Sequence, residues 1–321
     1  MKHLIILDPS NFPKRAELSF LTGSIRAFFG KRYPGDFVVH NSRYPRDSIR
    51  VIKRFAEEAD GEIVRVYCLG GHNLFYDCVN GAVGLPNVQL AAMPYGAPNY
   101  FTRIFGGNND ERFKDFEEQT KSPIIPTDLI HACGRYGLGY CAIGANADII
   151  MKYRGLNKKF PRLAKILGPN NLYVLSIPLS LMRKRIPDRA CEITIDGKSF
   201  DGDYAGIFIA NIGEYLADRV PAPMAHPADG ILEIMLIKNT GRLKRISLLR
   251  GFLKGHYKKW PKDITHLRGQ EVVVTSNFGT MRVLVDGEIS YTSKADIKIF
   301  PKAVQIAVPN GLDYVVREKL P

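Results

Sequence analysis

Gly70 and Gly71 stand between an apolar run (Val64, Val66, Cys68, Leu69) and a segment in which Leu74, Cys78, Val79 and Ala82 recur at i, i+4, i+5 and i+8. That spacing reads as a buried strand, a glycine turn and a helix. A helix start leaves backbone N–H groups unpaired, and glycine carries no Cβ to hold an anion away, so the chemistry this stretch could do is phosphate binding. The pattern recurs: the apolar stretch from Val88 to Met93 leads into Pro94-Tyr95-Gly96-Ala97-Pro98-Asn99, followed by Phe101, Ile104 and Phe105 at helical spacing. One such turn is an ordinary strand-to-helix connector that binds nothing. Two, at the ends of neighbouring parallel strands, would face the crevice where open α/β sheets take their ligands.

Those turns need a sheet to hold them. Leu4 to Leu7 reads as a first strand ended by Asp8-Pro9-Ser10-Asn11. Lys14 to Phe29 carries Leu18, Leu21, Ile25 and Phe28/Phe29 on one helical face, with Gly30 as its stop. Phe37 to Val39 is a second strand, and Asp47 a candidate N-cap for a helix bearing Ile49, Ile52, Phe55 and Ala56. Strand and helix thus alternate through the first 120 residues or so, which argues a parallel sheet covered by helices. The polar segment from Asn108 to Thr120 reads as a hinge. Beyond it, short strand-like runs dominate: Asp128 to Arg135, Gly139 to Gly144, Cys191 to Ile195, Ile207 to Asn211, Ile231 to Ile237, Glu271 to Thr275, Met281 to Val285, Ala295 to Ile299 and Val304 to Val308. Asp196-Gly197 and Asp286-Gly287 read as hairpin turns between them. Helices are expected near Asn146 to Tyr153, Phe160 to Met182 and Leu243 to Tyr257. The expected division is residues 1–121, an α/β domain, and residues 122–321, a β-sandwich-like domain whose C-terminal tail could return to the first.

The chain has 321 residues, 45% of them apolar, and a net charge of +13. No stretch approaches the eighteen or so uninterrupted apolar residues of a membrane span, and Leu4 to Leu7 is too short for a signal peptide, so a cytoplasmic protein is expected. The cysteines Cys68, Cys78, Cys133, Cys141 and Cys191 lack metal-ligand spacing and read as reduced core residues. The stretch Gly241 to Lys262 holds eight Lys/Arg and no Asp/Glu, interleaved with apolar residues. It could lie on an anionic membrane surface or pack its apolar side on its own domain. Further basic regions run from Lys152 to Lys165 and from Arg183 to Arg185. No helix-turn-helix, zinc-finger or RNA-binding aromatic signature suggests nucleic acid.

With these pieces placed, the chain resembles the diacylglycerol kinase catalytic-domain family, which includes bacterial soluble lipid kinases and sphingosine kinases. The family's GGDGT motif and following VNG are matched by Gly70-Gly71-His72-Asn73-Leu74 and Val79-Asn80-Gly81. Its GTxNDFAR loop resembles Gly96-Ala97-Pro98-Asn99-Tyr100-Phe101-Thr102-Arg103, and its opening NP resembles Asp8-Pro9. Its VAN strand resembles Ile207 to Asn211, and its AP and DDGLLDV stretches resemble Ala222-Pro223 and Ala228 to Glu233. Its DGE matches Asp286-Gly287-Glu288.

The resemblance implies an α/β nucleotide-binding domain of the NAD kinase type followed by a β-sandwich, with ATP as phosphoryl donor, Mg2+, and a lipid hydroxyl as acceptor at a peripheral anionic membrane surface. It implies Asp286 as base with Glu288 beside it. It implies nucleotide contacts from Asp8, Pro9, Ser10, Asn11, Ser42, Gly70, Gly71, His72, Asn73, Leu74, Gly96, Ala97 and Asn99. A structural divalent cation is implied at Asp229, with backbone carbonyls near His226 and Ile231. Asp128, Lys165 and Lys14 would form a charged network, or merely an interdomain salt bridge. Four departures bear on this. The aspartate of GGDGT is His72, and imidazole is a poor magnesium ligand. Its glycine and threonine are Asn73 and Leu74. The threonines and aspartate of the second loop are Ala97, Pro98 and Tyr100, and Tyr215-Leu216-Ala217 stands where the family has glycines. An inactive relative that binds lipid, membrane or nucleotide is therefore the alternative to a lipid kinase. A kinase of a soluble nucleotide is a third reading, and a homodimer is left open.

Overall fold

The computed structural model describes residues 1–12, 14–95, 99–106, 109–181, 190–215, 219–277 and 279–315. Gly96, Ala97, Pro98, Asn108, Arg183 to Arg185, Leu216 and Ala217, singled out above, lie outside the described residues. Two compact units form: Met1–Asp128 with Pro301–Val315, and Leu129–Phe300.

In the first unit, β1 (Lys2–Leu7), α1 (Arg15–Arg32), β2 (Phe37–Asn41), α2 (Asp47–Glu58), β3 (Val64–Leu69), α3 (His72–Ala82) and β4 (Val88–Met93) alternate, followed by the short α4 (Tyr100–Arg103), α5 (Asp110–Lys114) and α6 (Phe116–Lys121). The strands pair in parallel in the order β2-β1-β3-β4, and Gln305–Ala307 adds a further parallel strand beside β4. β1 and β3 are apolar almost throughout because both faces of a parallel sheet are covered. Ile5, Leu7, Ile25, Phe29, Tyr67, Leu69 and Met93 fill one face.

Three local expectations fail for physical reasons. Helix α1 runs past Gly30 to Arg32, since a glycine costs a packed helix only about 1 kcal/mol. Asp47 is the first helical residue, not the cap. That position is held by Arg46 at φ 69°, and the buried Asp47 carboxylate instead takes His40 and the Arg43 N–H. The polar stretch read as a hinge folds as α5 and α6. The buried guanidinium of Arg65 donates to the carbonyls of Gln119, Thr120 and Ser122, fastening the end of α6 to β3, as a cation at a helix C-terminus does.

The second unit is antiparallel. The chain enters along β5 (Ile124–Ala132), turns at Cys133-Gly134 into β6 (Arg135–Gly137), and continues through β7 (Tyr140–Gly144), α7 (Ala145–Lys159) and α8 (Pro161–Leu181, broken at Gly168). Then come β8 (Ala190–Ile195), β9 (Lys198–Ser199), β10 (Gly202–Ala210), β11 (Leu232–Lys238), α9 (Arg242–Phe252), β12 (Ile264–Gly269), β13 (Glu271–Ser276), β14 (Met281–Val285), β15 (Glu288–Thr292) and β16 (Lys294–Ala307). One sheet runs β12-β11-β10-β7-β14-β15, and β8, β13 and the start of β16 form a second run reached through Gly202 and Asp203 of β10. β12 carries no clean alternation in sequence, and β15, which alternates from Glu288 to Thr292, has no buried residue to mark an inner face. Conversely, the two expected closing strands are one, because Lys302 at φ 52° absorbs the irregularity after Phe300-Pro301.

Helices α7, α8 and α9 cover the first sheet, with Ile149, Tyr173, Phe208, Leu248, Phe252 and Tyr257 in the shared core. The apolar side of Gly241 to Lys262 is therefore buried in its own domain. The five cysteines are free, and burial pushes the Cys68 and Cys141 thiols well above their usual range. No described helix is long and apolar enough to cross a membrane.

His3 is fully buried in β1, with Nδ1 3.0 Å from the Tyr67 hydroxyl and its ring 4.1 Å from Tyr33. Burial, then the charge of Arg65, lowers its pKa to about 4 from 6.5. The folded state thus refuses a proton that the unfolded chain accepts. Stability should be full above pH 6.5 and fall as the pH drops through 6.5 towards 4, by at most about 3 kcal/mol. Urea unfolding across that range should show the fall, and His3→Phe should lack it.

Candidate active site

The strand order β2-β1-β3-β4 sends the connection after β1 to one side and that after β3 to the other, so the loops Asp8–Asn11 and Gly70–Leu74 lie at the switch point of the sheet. Asp8 caps the short turn Pro9–Asn11: its carboxylate accepts the Ser10 N–H at 2.9 Å, the Ser10 hydroxyl at 2.7 Å and the Asn11 amide at 3.0 Å. Its charge is thus satisfied by its own loop. Ser42 follows β2 and donates its N–H to the Leu7 carbonyl. Gly71 is the N-cap of α3 with no side-chain cap, leaving His72, Asn73 and Leu74 as the first helical turn. A Cβ on Gly70 would lie 2.9 Å from Leu74 and 3.0 Å from the Asn11 amide, so these two side chains fill the space against that glycine. The His72 ring lies 5.2 Å from that of Tyr100, and the Arg103 guanidinium is 5.7 Å from the same tyrosine. Asn99 caps α4 through its side-chain oxygen, while its buried amide nitrogen has no hydrogen-bond partner among the described residues. The structure thus gathers Asp8, Ser10, Asn11, Gly70 and Leu74, and brings His72 beside Tyr100.

The second cluster is built on Asp286. Asp286 and Gly287, at φ 44° and 95°, form the two-residue turn between β14 and β15 that an Asp-Gly pair favours. The carboxylate is 3% exposed and accepts the N–H groups of Leu138 at 2.6 Å, Gly139 at 3.0 and 3.1 Å and Tyr140 at 2.9 Å. This approach requires glycine: a Cβ on Gly139 would lie 2.7 Å from Oδ1, and one on Gly137 2.7 Å from Val285. Asn211 holds the same segment from its other side, donating its side-chain amide to the Leu138 carbonyl and its N–H to the Gly139 carbonyl. Glu288 is 46% exposed, with Arg135 at 3.4 Å, and Arg154 donates to the Gly287 carbonyl. Asn211 is legible in the sequence only as the end of the VAN-like strand, and Gly137, Gly139, Arg135 and Arg154 have no signal except the G-x-G spacing of Gly137 and Gly139.

The remaining predicted residues are placed differently. Asp128 is buried and accepts the Lys302 N–H at 2.7 Å, Lys14 is exposed beside Glu17, and Lys165 is exposed on α8. Asp229 accepts the Ile231 N–H and an Arg268 N–H, and His226 Nδ1 accepts the Ala228 N–H. The residues present do not fit a protein-held divalent cation at either place. No group of three His, Cys, Asp or Glu converges among the described residues. At the glycine turn the expected carboxylate is an imidazole, and at Asp229 a guanidinium is already present.

Residues 174–308 match the family model of the YegS C-terminal NAD kinase beta sandwich-like domain. The sequence is 26% identical over 270 residues to a "Putative lipid kinase" of Staphylococcus haemolyticus (strain JCSC1435), covering 81% of this chain and 82% of that one. It is 25% identical to its counterpart in Staphylococcus aureus (strain JH9), covering 81% of each. These matches support a diacylglycerol kinase-like lipid kinase family for the chain. Its fold is that of two solved structures of putative diacylglycerol kinases from Bacillus anthracis str. Sterne. One has a TM-score of 0.71 at 20% identity and covers 97% of this chain and 96% of that one. The other has a TM-score of 0.70 at 22% identity and covers 97% and 98%.

The Asp286 cluster makes a direct prediction. Asp286→Asn turns an amide NH2 towards the N–H groups of residues 138–140 and should cost about 2 kcal/mol or more. Gly139→Ala should cost a similar amount by steric overlap. Both should appear as lowered thermal midpoints in differential scanning calorimetry, with or without any ligand.

Proposed function

We propose that this protein transfers the γ-phosphoryl group of ATP to a lipid hydroxyl. The observation that carries the reading is the gathering, at the switch point of one parallel sheet, of the Asp8–Asn11 loop, the glycine turn and the uncapped N-terminus of α3. Phosphate oxygens would meet the N–H groups of His72 to Leu74, where the helix end favours negative charge. The His72 imidazole beside them supplies a hydrogen-bond donor. Catalysis of phosphoryl transfer is mostly positioning and charge neutralisation, so these groups would contribute what the first unit supplies.

The roles of Asp286 and Glu288 divide by geometry. A general base must present a lone pair to the hydroxyl it deprotonates. Both oxygens of Asp286 are engaged by backbone N–H groups, whereas Glu288 faces solvent beside Arg135. Asp286 is then a positioning residue that fixes the hairpin, and Glu288 accepts the proton. A second reading, a lipid- or nucleotide-binding protein without turnover, is favoured by one observation: Leu74 and Asn11 occupy the space against Gly70.

Purified protein with magnesium-ATP and diacylglycerol in anionic vesicles should yield phosphorylated lipid. Glu288→Gln should reduce turnover by about a hundredfold or more with an unchanged thermal midpoint. Calorimetric titration of ATP separates the readings: no lipid product together with no heat of ATP binding would favour the non-catalytic protein.

The membrane surface would be met by the corner between α7 and α8. Phe160, Leu163 and Ile166 are exposed there, Ile166 at 81%, among exposed Lys158, Lys159, Arg162 and Lys165. From Ala145 to Leu181 the one acid is Asp148, which pairs with Arg282. Apolar side chains ringed by cations suit an anionic interface. Sedimentation with phosphatidylglycerol vesicles should drop for Phe160→Ser/Ile166→Ser and weaken in high salt. Sedimentation equal to the parent protein would exclude this corner.

A further inference from the structure

The loop that the sequence assigns to a structural divalent cation is built differently in this chain. Asp229 Oδ1 accepts the Ile231 N–H at 3.0 Å, and Oδ2 accepts an N–H of Arg268 at 2.9 Å. The neighbouring Gly230 carbonyl accepts the Gln270 side-chain amide at 3.2 Å. Both donors stand at the end of β12. One Asp229 oxygen is therefore met from within its own loop, and the other, with the Gly230 carbonyl, by N–H groups from the end of β12.

Arg268 is itself held in place. It lies directly opposite Glu233 in the β11–β12 ladder, and its Nε is 2.9 Å from a Glu233 oxygen. Glu233 is 3% exposed and also pairs with His266. The guanidinium thus joins a strand carboxylate to a loop carboxylate. That is the bridging job a divalent cation performs with oxygen ligands, done here by a planar cation whose several donors match two carboxylates at once. Magnesium requires near-octahedral oxygen ligation at close range. A fixed guanidinium on the same carboxylate removes one ligand and repels the ion.

We propose that Arg268 is a built-in cation that replaces the divalent ion and, with the neutral Gln270 amide on the Gly230 carbonyl, clamps the loop from His226 to Ile231 onto β12, making the fold of the second unit independent of metal. Protein stripped with EDTA and desalted should melt at the same temperature with or without millimolar magnesium, calcium or manganese. Arg268→Ala should lower the midpoint by roughly 2–4 °C. With Asp229 then relieved of its Arg268 donor, added divalent cation should raise that variant's midpoint and slow proteolysis within residues 222–231. The parent protein should show neither effect. A parent midpoint that falls with EDTA and recovers with magnesium would overturn the proposal. So would Arg268→Ala with unchanged midpoint and unchanged proteolysis. Arg268→Lys, which keeps the charge but loses the second donor arm, should fall between the parent and Arg268→Ala.

Discussion

The second unit depends on one carboxylate pressed against three successive backbone amides. Asp286 can reach Leu138, Gly139 and Tyr140 only because residues 137 and 139 lack a Cβ, and it stays there because the Asp-Gly turn holds it at positive φ. This contact fixes the start of β7 against the β14–β15 hairpin, and Asn211 fastens the same segment to β10. Glu288, two residues on, inherits its position from that arrangement. A second Asp-Gly turn is built alike: Asp196 accepts the N–H groups of Gln270 and Glu271, and a Cβ on Gly269 would lie 2.7 Å from its carboxylate. The recurrence shows that the fold uses such turns as fasteners, and it is the reason to assign Asp286 to positioning.

Charge compensation in this chain is internal and local. Asp8 is satisfied by Ser10 and Asn11, Asp148 by Arg282, Asp229 and Glu233 by Arg268, and the end of α6 by Arg65. The cations left exposed among apolar residues, from Lys158 to Lys165, are those that suit a surface partner. His72 and Leu74 at the glycine turn offer no carboxylate or hydroxyl oxygen, and one Asp229 oxygen is met by Arg268.

The sequence by itself determined the alternation of parallel strands and helices, because apolar runs of strand length followed by amphipathic helical spacing leave little choice of architecture. It also determined the Gly70-Gly71 turn and the two Asp-Gly hairpins, where local backbone conformation is dictated by residue type. Tertiary structure decided what those residues do. Gly137 and Gly139 look like loop residues until Asp286 is seen against them. Gly241 to Lys262 reads equally as a membrane-surface helix or one packed on its own domain until its apolar side is seen in the core. Asp229 looks like a metal ligand until Arg268, 39 residues away, is found beside it. Each of these depends on contacts between residues far apart in the chain, which spacing cannot encode, whereas turn and helix signals act within a few residues and are carried by the sequence alone.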